Sequence, residues 1–150
     1  MVTAAATLSA ELERFLQVPR LVLVTTIDAG SAWPTNNLIT WVVAMDGERV
    51  RLATETGGRV MTNIQADDRV LLTVMTKGAC HTIEGNARLI AGELEGVSLK
   101  LSCAELRVRV VRDVTFWGGR LTGEPPYEVT YDPTLNEMLD TSVFAAMRAV

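Results

Sequence analysis

Residues 54–59 combine threonines, glycines and an arginine between a strand-like segment and a helix-like one. The order is Thr-Glu-Thr-Gly-Gly-Arg, and the stretch that follows is amphipathic. The first backbone N–H groups of a helix carry partial positive charge and lack partners within the helix. Glycines let an anion approach the backbone closely, and a guanidinium adds a fixed cation. The sequence therefore predicts a phosphate site on the turn that includes Gly58 and Arg59.

The same residues also have ordinary structural interpretations. Arg59 can be solvated or paired with Glu55, and the two glycines can form a flexible turn. Thr54 and Thr56 can cap the helix that follows, and a capping hydroxyl can also donate to a phosphate. Both interpretations stay open on this evidence.

Composition limits the class of protein. The chain has 150 residues, 48% of them hydrophobic and 21% charged, which predicts a single domain over residues 1–150 with a buried core. A net charge of −4 and a pI near 5.0 argue against nucleic acid or an anionic membrane as partner. There is no export signal and no apolar run of the ~20 residues that a membrane span needs. We therefore expect a soluble, cytoplasmic protein.

The remaining pattern positions the predicted phosphate site within a sheet. Ser9 can cap a first helix that Pro19 ends, and Asp46-Gly47 can close a hairpin. Alternation and β-branched residues predict strands, and a closing helix follows Pro133. The predicted strands are residues 21–27, 34–45, 50–54, 69–75, 80–90, 97–101 and 105–116. This order favours a mainly β (α+β) fold: a six- to seven-stranded antiparallel barrel with peripheral helices at both ends and one after the third strand.

No catalytic constellation of side chains can be assembled from the sequence. A single histidine, His81, and scattered carboxylates offer neither a triad nor paired carboxylates, so the catalytic residues stay unknown. One histidine and two cysteines also argue against a metal site, and Cys80 and Cys103 suit small buried hydrophobic positions. Any catalysis is therefore expected to depend on a cofactor.

Two tryptophans can be either core or interface aromatics or platforms for a flat ligand. Trp41 lies in a predicted strand, whereas Trp117 precedes Gly118-Gly119. Two glycines would let a flat ring system come close, which makes Trp117 the better stacking candidate.

Several short motifs in a fixed order carry a resemblance to a known family. They are Leu23–Asp28, Pro34, Asp46-Gly47, Leu52–Thr54, Gly58-Arg59, Asn63-Ile64 with Asp67 and Arg69-Val70, and Gly85–Leu89. From about Arg20 to Trp117 the chain resembles the pyridoxamine 5′-phosphate oxidase-like family of FMN-binding split β-barrels. The resemblance implies a homodimer that binds FMN in a groove between its subunits.

The resemblance also implies roles for individual residues. Residues 38–43, among them Leu38, Ile39, Thr40 and Trp41, would line the flavin ring. Ala53 and Thr54 would meet the ribityl-phosphate end, Gly58 and Arg59 would hold the phosphate, and Cys80 falls where the family often has a polar residue in contact with the ring. The amides at Asn36 and Asn37 fit either an exposed sheet edge or recognition of a flavin edge.

Departures from the family pattern narrow the expected function. Leu38, Val43 and Val60 are aliphatic where the oxidases have basic residues, and residues 124–150 lack the arginine–histidine segment that binds pyridoxal phosphate in them. We therefore expect an oxidoreductase acting on an unidentified small molecule or electron donor, not a genuine pyridoxamine phosphate oxidase. The alternative is a protein that binds flavin, haem or a deazaflavin without turnover, as an electron carrier or redox sensor.

Overall fold

The computed structural model describes residues 4–150, which form eight strands and three helices. In chain order the elements are β1 (Ala4–Ala5), α1 (Ala10–Phe15), β2 (Val22–Ile27), β3 (Pro34–Ile39), β4 (Val42–Ala44), β5 (Arg49–Glu55), α2 (Arg59–Ala66), β6 (Arg69–Met75), β7 (Cys80–Ala91), β8 (Leu101–Asp113) and α3 (Pro133–Ala149).

All strand pairs are antiparallel, and the sheet runs in the order β3-β2-β6-β7-β8-β5-β4, with β1 added beside β8. The sheet curls into a split β-barrel, which confirms the predicted fold class. β3 and β4 are consecutive in the chain yet lie at the two ends of the strand order. The split in the barrel is therefore at the junction between these strands.

Every second side chain of the strands points into the interior of the barrel. Val22, Val24 and Thr26 of β2 are buried while their neighbours are only half-buried. On β3 the residues paired with them, Ile39 and Asn37, face the same way. α1 and α2 contribute to the same core through Leu12, Leu16, Val60, Met61 and Ile64.

A second apolar cluster lies on the outer face of β4, β5 and β8, where α3 covers it. Val143, Phe144 and Met147 of α3 pack there with residues such as Val43 and Cys103. Burial raises the pKa of the Cys103 thiol to about 11, so this thiol stays protonated and behaves as a small hydrophobic group, as predicted.

Two predicted strands have wrong boundaries. The strand over residues 34–45 is broken at Thr40 and Trp41, because the chain leaves β2 there and begins to pair with β5. The predicted strand over residues 97–101 is a turn: Gly96 has a positive φ of 78°, and the Leu94 N–H donates to the Leu101 carbonyl at 2.8 Å.

The last long strand is also displaced. β8 begins at Leu101 and ends at Asp113, whereas the prediction placed it at residues 105–116. The Thr115 N–H donates to the Asp113 carboxylate at 2.9 Å, and this bond turns the chain away from the sheet.

The helix ends agree with the sequence at one place and differ at another. The Ser9 hydroxyl accepts from the Leu12 N–H and caps α1, as predicted. Gly58, and neither Thr54 nor Thr56, is the N-cap of α2, so capping by a threonine is a wrong prediction. Among residues 4–150 no helix is both long enough and apolar enough to cross a lipid bilayer.

Candidate functional site

The turn between β5 and α2 presents the start of a helix without a side-chain cap. Gly58 is in an extended conformation at the N-cap, and its N–H donates to the Glu55 carbonyl at 3.0 Å. Gly57 has a positive φ of 75°, and a Cβ built on it would meet no atom within 4 Å. The glycine therefore satisfies a left-handed turn and leaves the backbone open to an approaching group.

Arg59 is the first residue of α2, and its side chain is exposed. Its Nη1 atom lies 3.4 Å from Thr35 Oγ1 on β3, across the split of the barrel. The pKa of Asp28 lies below its ordinary value, chiefly because the Ser31 N–H and hydroxyl donate to its carboxylate, while the charge of Arg59 adds a smaller effect. Arg59 thus links the start of α2 to β3, and its charged side chain is exposed to solvent.

Asn63 fixes the position of α2 relative to β2 and the turn that follows it. Its side chain is only 2% exposed. Its Oδ1 atom accepts from the Ala29 N–H at 2.9 Å, and its Nδ2 atom donates to Thr26 Oγ1 at 3.0 Å. This positioning role of Asn63 was not predicted from the sequence, although a polar residue within the apolar stripe of α2 was an available signal.

Beside the turn is a cavity of about 400 Å³ that gathers most of the predicted ligand-binding residues. The predicted residues that line it are Leu38, Ile39, Thr40, Trp41, Ala53 and Thr54. The cavity also has walls that the sequence did not predict, formed by Glu55, Tyr127, Val129, Tyr131 and Asn136. Glu55 lines the cavity, and its carbonyl accepts from the N–H of Gly58, the N-cap of α2. The cavity and the exposed helix start therefore adjoin.

Two oxygen atoms near the split are buried without a hydrogen-bond partner among residues 4–150. They are Thr54 Oγ1, in the cavity wall, and Asn37 Oδ1, on β3. A buried polar atom without a partner costs free energy, on the order of 1–3 kcal/mol. Thr54 belongs to the cavity lining, and Asn37 precedes the lining residues Leu38 and Ile39 on β3.

A slightly larger cavity, of about 440 Å³, lies on the outer face of the sheet. Arg69, Glu84 and Arg109 line it, but Arg109 is paired with Glu84 at 2.7 Å and Arg69 with Asp67 at 2.6 Å. Its arginines are already paired with carboxylates, which makes the cavity beside the β5–α2 turn the stronger candidate site. Across residues 4–150, no group of three or more His, Cys, Asp or Glu side chains is arranged to hold a metal ion.

One known protein family matches most of this chain. The family model described as pyridoxamine 5′-phosphate oxidase matches residues 8–110, which contain β2 to β7, most of β8 and the whole turn around Arg59. The chain belongs to the pyridoxamine 5′-phosphate oxidase family. The resemblance carried by the sequence motifs is thus confirmed.

Solved structures similar to this oxidase-family chain share its fold. A proposed pyridoxamine 5′-phosphate oxidase from Lactobacillus delbrueckii matches with a TM-score of 0.59 and 15% identity over 71% of this chain and 94% of that one. Rv2991 from Mycobacterium tuberculosis matches with a TM-score of 0.55 and 19% identity over 87% and 97%. An F420 reductase matches with a TM-score of 0.55 and 17% identity over 66% and 94%. No curated protein matches the sequence.

Four predicted ligand-binding residues do not line the cavity: Gly58 and Arg59 on the adjoining turn, and Cys80 and Trp117. Cys80 begins β7, and burial followed by the charge of Asp113 raises the pKa of its thiol. Trp117 is 93% exposed beyond the end of β8. The space beside Gly119 is occupied by the ring of Phe116, which a Cβ at that position would strike.

The aliphatic residues at positions where the oxidases are basic have different environments. Val43 and Val60 are buried, in the outer and inner apolar clusters respectively. Leu38 is 62% exposed at the cavity. In this member of the family, Val43 and Val60 therefore contribute to packing, and Arg59 is the cation of the β5–α2 turn.

Proposed function

We propose that the protein is a cytoplasmic FMN-binding flavoprotein with oxidoreductase activity on a small molecule. The observation that carries the proposal is the adjacency of two features. The uncapped start of α2 bears Arg59 within 3.4 Å of Thr35, and Glu55 joins this turn to the cavity. A helix start with an arginine suits a phosphate, and the cavity suits the flat ring attached to it.

The residues divide into three roles. Arg59 and the backbone of Gly57-Gly58 hold the phosphate, and Thr54 meets the ribityl chain through its unpaired hydroxyl. Trp41 and its neighbours on β3 and β4 line the ring. When bound, FMN supplies the hydride and electron transfer, and the protein supplies position and electrostatics.

We further propose a homodimer with the cofactor at the subunit interface. Cys80 and Trp117 lie away from the cavity of their own chain, so their predicted contact with the ring requires a second copy. The outer faces of β2 and β6 carry half-buried apolar residues such as Leu23 and Leu71, which suit such an interface. Light scattering should give twice the 16.3 kDa chain mass, and a monomer would contradict this proposal.

The substrate differs from that of a true pyridoxamine phosphate oxidase. Such a substrate brings a second phosphate, and among the described residues that line the cavity there is no Lys, Arg or His to pair with it. A substrate without a phosphate group fits the cavity better.

The second candidate is a protein that binds a deazaflavin, or a flavin without turnover. The structural similarity to an F420 reductase favours the deazaflavin, because F420 combines a flat ring and a phosphate as FMN does. The visible spectrum of the purified protein separates the two ring systems. Oxidation of reduced nicotinamide under air separates an enzyme from a carrier or sensor.

The experiment that tests the FMN site is a titration followed by flavin fluorescence. Arg59→Ala should weaken FMN binding at least about tenfold, because a charge-assisted bond contributes roughly 1.5–3 kcal/mol. The matched control is Arg14→Ala, which removes an exposed arginine from α1. Equal affinity in the Arg59 and Arg14 variants would overturn the phosphate assignment.

A further inference from the structure

One side of the cavity comes from the chain segment that leads into α3 and from the first turn of that helix. We call Tyr127, Val129, Tyr131 and Asn136 the C-terminal wall. The wall faces the residues of β3 and β4 that line the other side of the same cavity. The family model ends at residue 110, so the wall lies beyond the matched part of the chain.

Hydrogen bonds hold the residues on both sides of the cavity. Tyr131 Oη donates to Asn136 Oδ1 at 2.8 Å, which leaves the amide Nδ2 of Asn136 as a donor for a ligand. On the opposite side, Trp41 Nε1 donates to Asp140 Oδ1 at 2.8 Å and ties the cavity to α3. Aromatic rings are therefore held at fixed places around the cavity before any ligand binds.

The cavity has a negative electrostatic character. Among its described lining residues the one formal charge is the carboxylate of Glu55. Burial raises the pKa of the Tyr127 hydroxyl, and the carboxylates of Asp140 and Glu124 raise it further against the opposing effect of Arg20. Tyr127 consequently stays a neutral donor. Glu124 is paired with Arg20 at 2.9 Å, so the carboxylate that an anion would meet in the cavity lining is that of Glu55.

We propose that the C-terminal wall is a substrate subsite for an uncharged, flat aromatic ring. Tyr127 and Tyr131 offer ring faces or edges for stacking, and Asn136 offers a donor to a carbonyl or hydroxyl on that ring. The carboxylate of Glu55 discriminates against phosphate and carboxylate substrates. This inference rests on the proposed function, since it assigns the substrate that the bound flavin would meet.

The test compares 1-naphthol with 1-naphthyl phosphate, which share a ring and differ in charge. Both are titrated by calorimetry into protein saturated with FMN, so that the turn at Arg59 is already filled. Naphthol should bind at least about tenfold more tightly than its phosphate ester. Tyr131→Ala should weaken naphthol binding about fivefold, whereas Tyr131→Phe should stay within about twofold of the wild type.

Two further variants make the test specific. Glu55→Gln should reduce the preference for naphthol over naphthyl phosphate, an effect that altered packing alone does not produce. Trp33→Ala removes an aromatic side chain that is exposed outside the cavity, and it should leave naphthol binding unchanged.

The outcomes separate this inference from the proposed function. The subsite is overturned if the FMN-bound protein binds the two naphthyl compounds equally well, or if Tyr131→Ala does not weaken naphthol binding. In either case FMN binding still supports the proposed flavoprotein. If FMN does not bind, naphthol is titrated into the ligand-free protein. Loss of affinity in Tyr131→Ala would then support the aromatic subsite while the cofactor assignment fails, and no loss would overturn both.

Discussion

Trp41 donates its indole N–H to the carboxylate of Asp140 at 2.8 Å, across 99 positions of the chain. The bond joins the β3–β4 side of the cavity to α3, so the C-terminal helix supports the candidate site. Sequence spacing alone gives no indication of a contact between residues this far apart.

Loss of this bond should destabilise the protein modestly. Asp140→Ala leaves the half-buried indole N–H without its acceptor, which should lower the free energy of unfolding by about 1 kcal/mol and the Tm by about 2–4 °C. Asp140→Asn keeps an acceptor oxygen and should lose less. Thermal unfolding followed by circular dichroism checks the order, and an equal Tm for Asp140→Ala and the wild type would contradict it.

Breaking the buried ion pair of Arg51 and Glu105 beneath α3 should lower the free energy of unfolding much more. Arg51 Nε lies 3.0 Å from Glu105 Oε2, and its Nη1 donates to the Met147 carbonyl at 2.6 Å. Arg51→Met should cost about 3 kcal/mol, because the nearly buried Glu105 carboxylate then keeps only the more distant Arg49, whose Nη1 lies 3.9 Å away. Adding Glu105→Gln to this variant should recover part of the loss. Urea unfolding gives the free energy of unfolding of each single variant and of the double variant. If the loss in the double variant equals the sum of the two single losses, Arg51 and Glu105 are not directly coupled.

The forked pair between Asp67 and Arg69 should make stability depend on acid pH. Bonds from the Arg69 side chain, then its backbone N–H, lower the pKa of Asp67 from 3.8 to about 2. A carboxylate with a depressed folded-state pKa contributes stability above its unfolded pKa and loses it as the pH falls toward the folded value. The Tm difference between wild type and Asp67→Asn should therefore be present at pH 7 and shrink between about pH 4 and pH 2.

Arg69→Gln provides the complementary measurement. It removes the principal cause of the lowered pKa, so it should reduce the same pH-dependent difference while Asp67 remains in place. A Tm difference that stays constant from pH 7 to pH 2 would show that the pair does not contribute through ionisation.

Backbone strain in the turn after β2 predicts a stabilising substitution. Ala32 has a positive φ of 61°, a conformation that costs a non-glycine residue roughly 1–2 kcal/mol. Ala32→Gly relieves this strain but adds freedom to the unfolded chain, so the net gain should be about 0.5 kcal/mol. Ala145→Gly, the same change at an exposed position in α3, should instead lose about 1 kcal/mol. Urea unfolding of both variants gives the comparison.

Local patterns identified most elements because they depend on neighbouring residues. The apolar, β-branched run of β2, the alternation of β5, the turn at Asp46-Gly47 and the cap at Ser9 all follow from short-range chemistry. The break at Thr40-Trp41 was missed because the residues next to it on both strands, Leu38-Ile39 and Val42-Val43, are apolar, and the change of pairing partner leaves no trace in hydropathy. The turn at Gly96 was mistaken for a strand because Val97 and Leu99 alternate with polar residues.

Two stretches of the cavity lining, residues 38–41 and 53–54, were predicted because the family resemblance singles them out. The phosphate site at Gly58 and Arg59 was predicted from the local strand–turn–helix pattern, and it stays a prediction. Tyr127 and Tyr131 reach the cavity through a tertiary contact, and tyrosines in an irregular proline-containing segment carry no signal of that position.

The two-residue junction at Thr40-Trp41 has a consequence for how the fold can vary. It connects the outermost strands of the sheet, whereas β6, β7 and β8 lie at the centre of the strand order. Side chains at the rim of the opening can therefore change without disturbing the hydrogen-bonded middle of the structure. Proteins with this fold can therefore acquire selectivity for a different ligand through a few substitutions at the opening between β3 and β4.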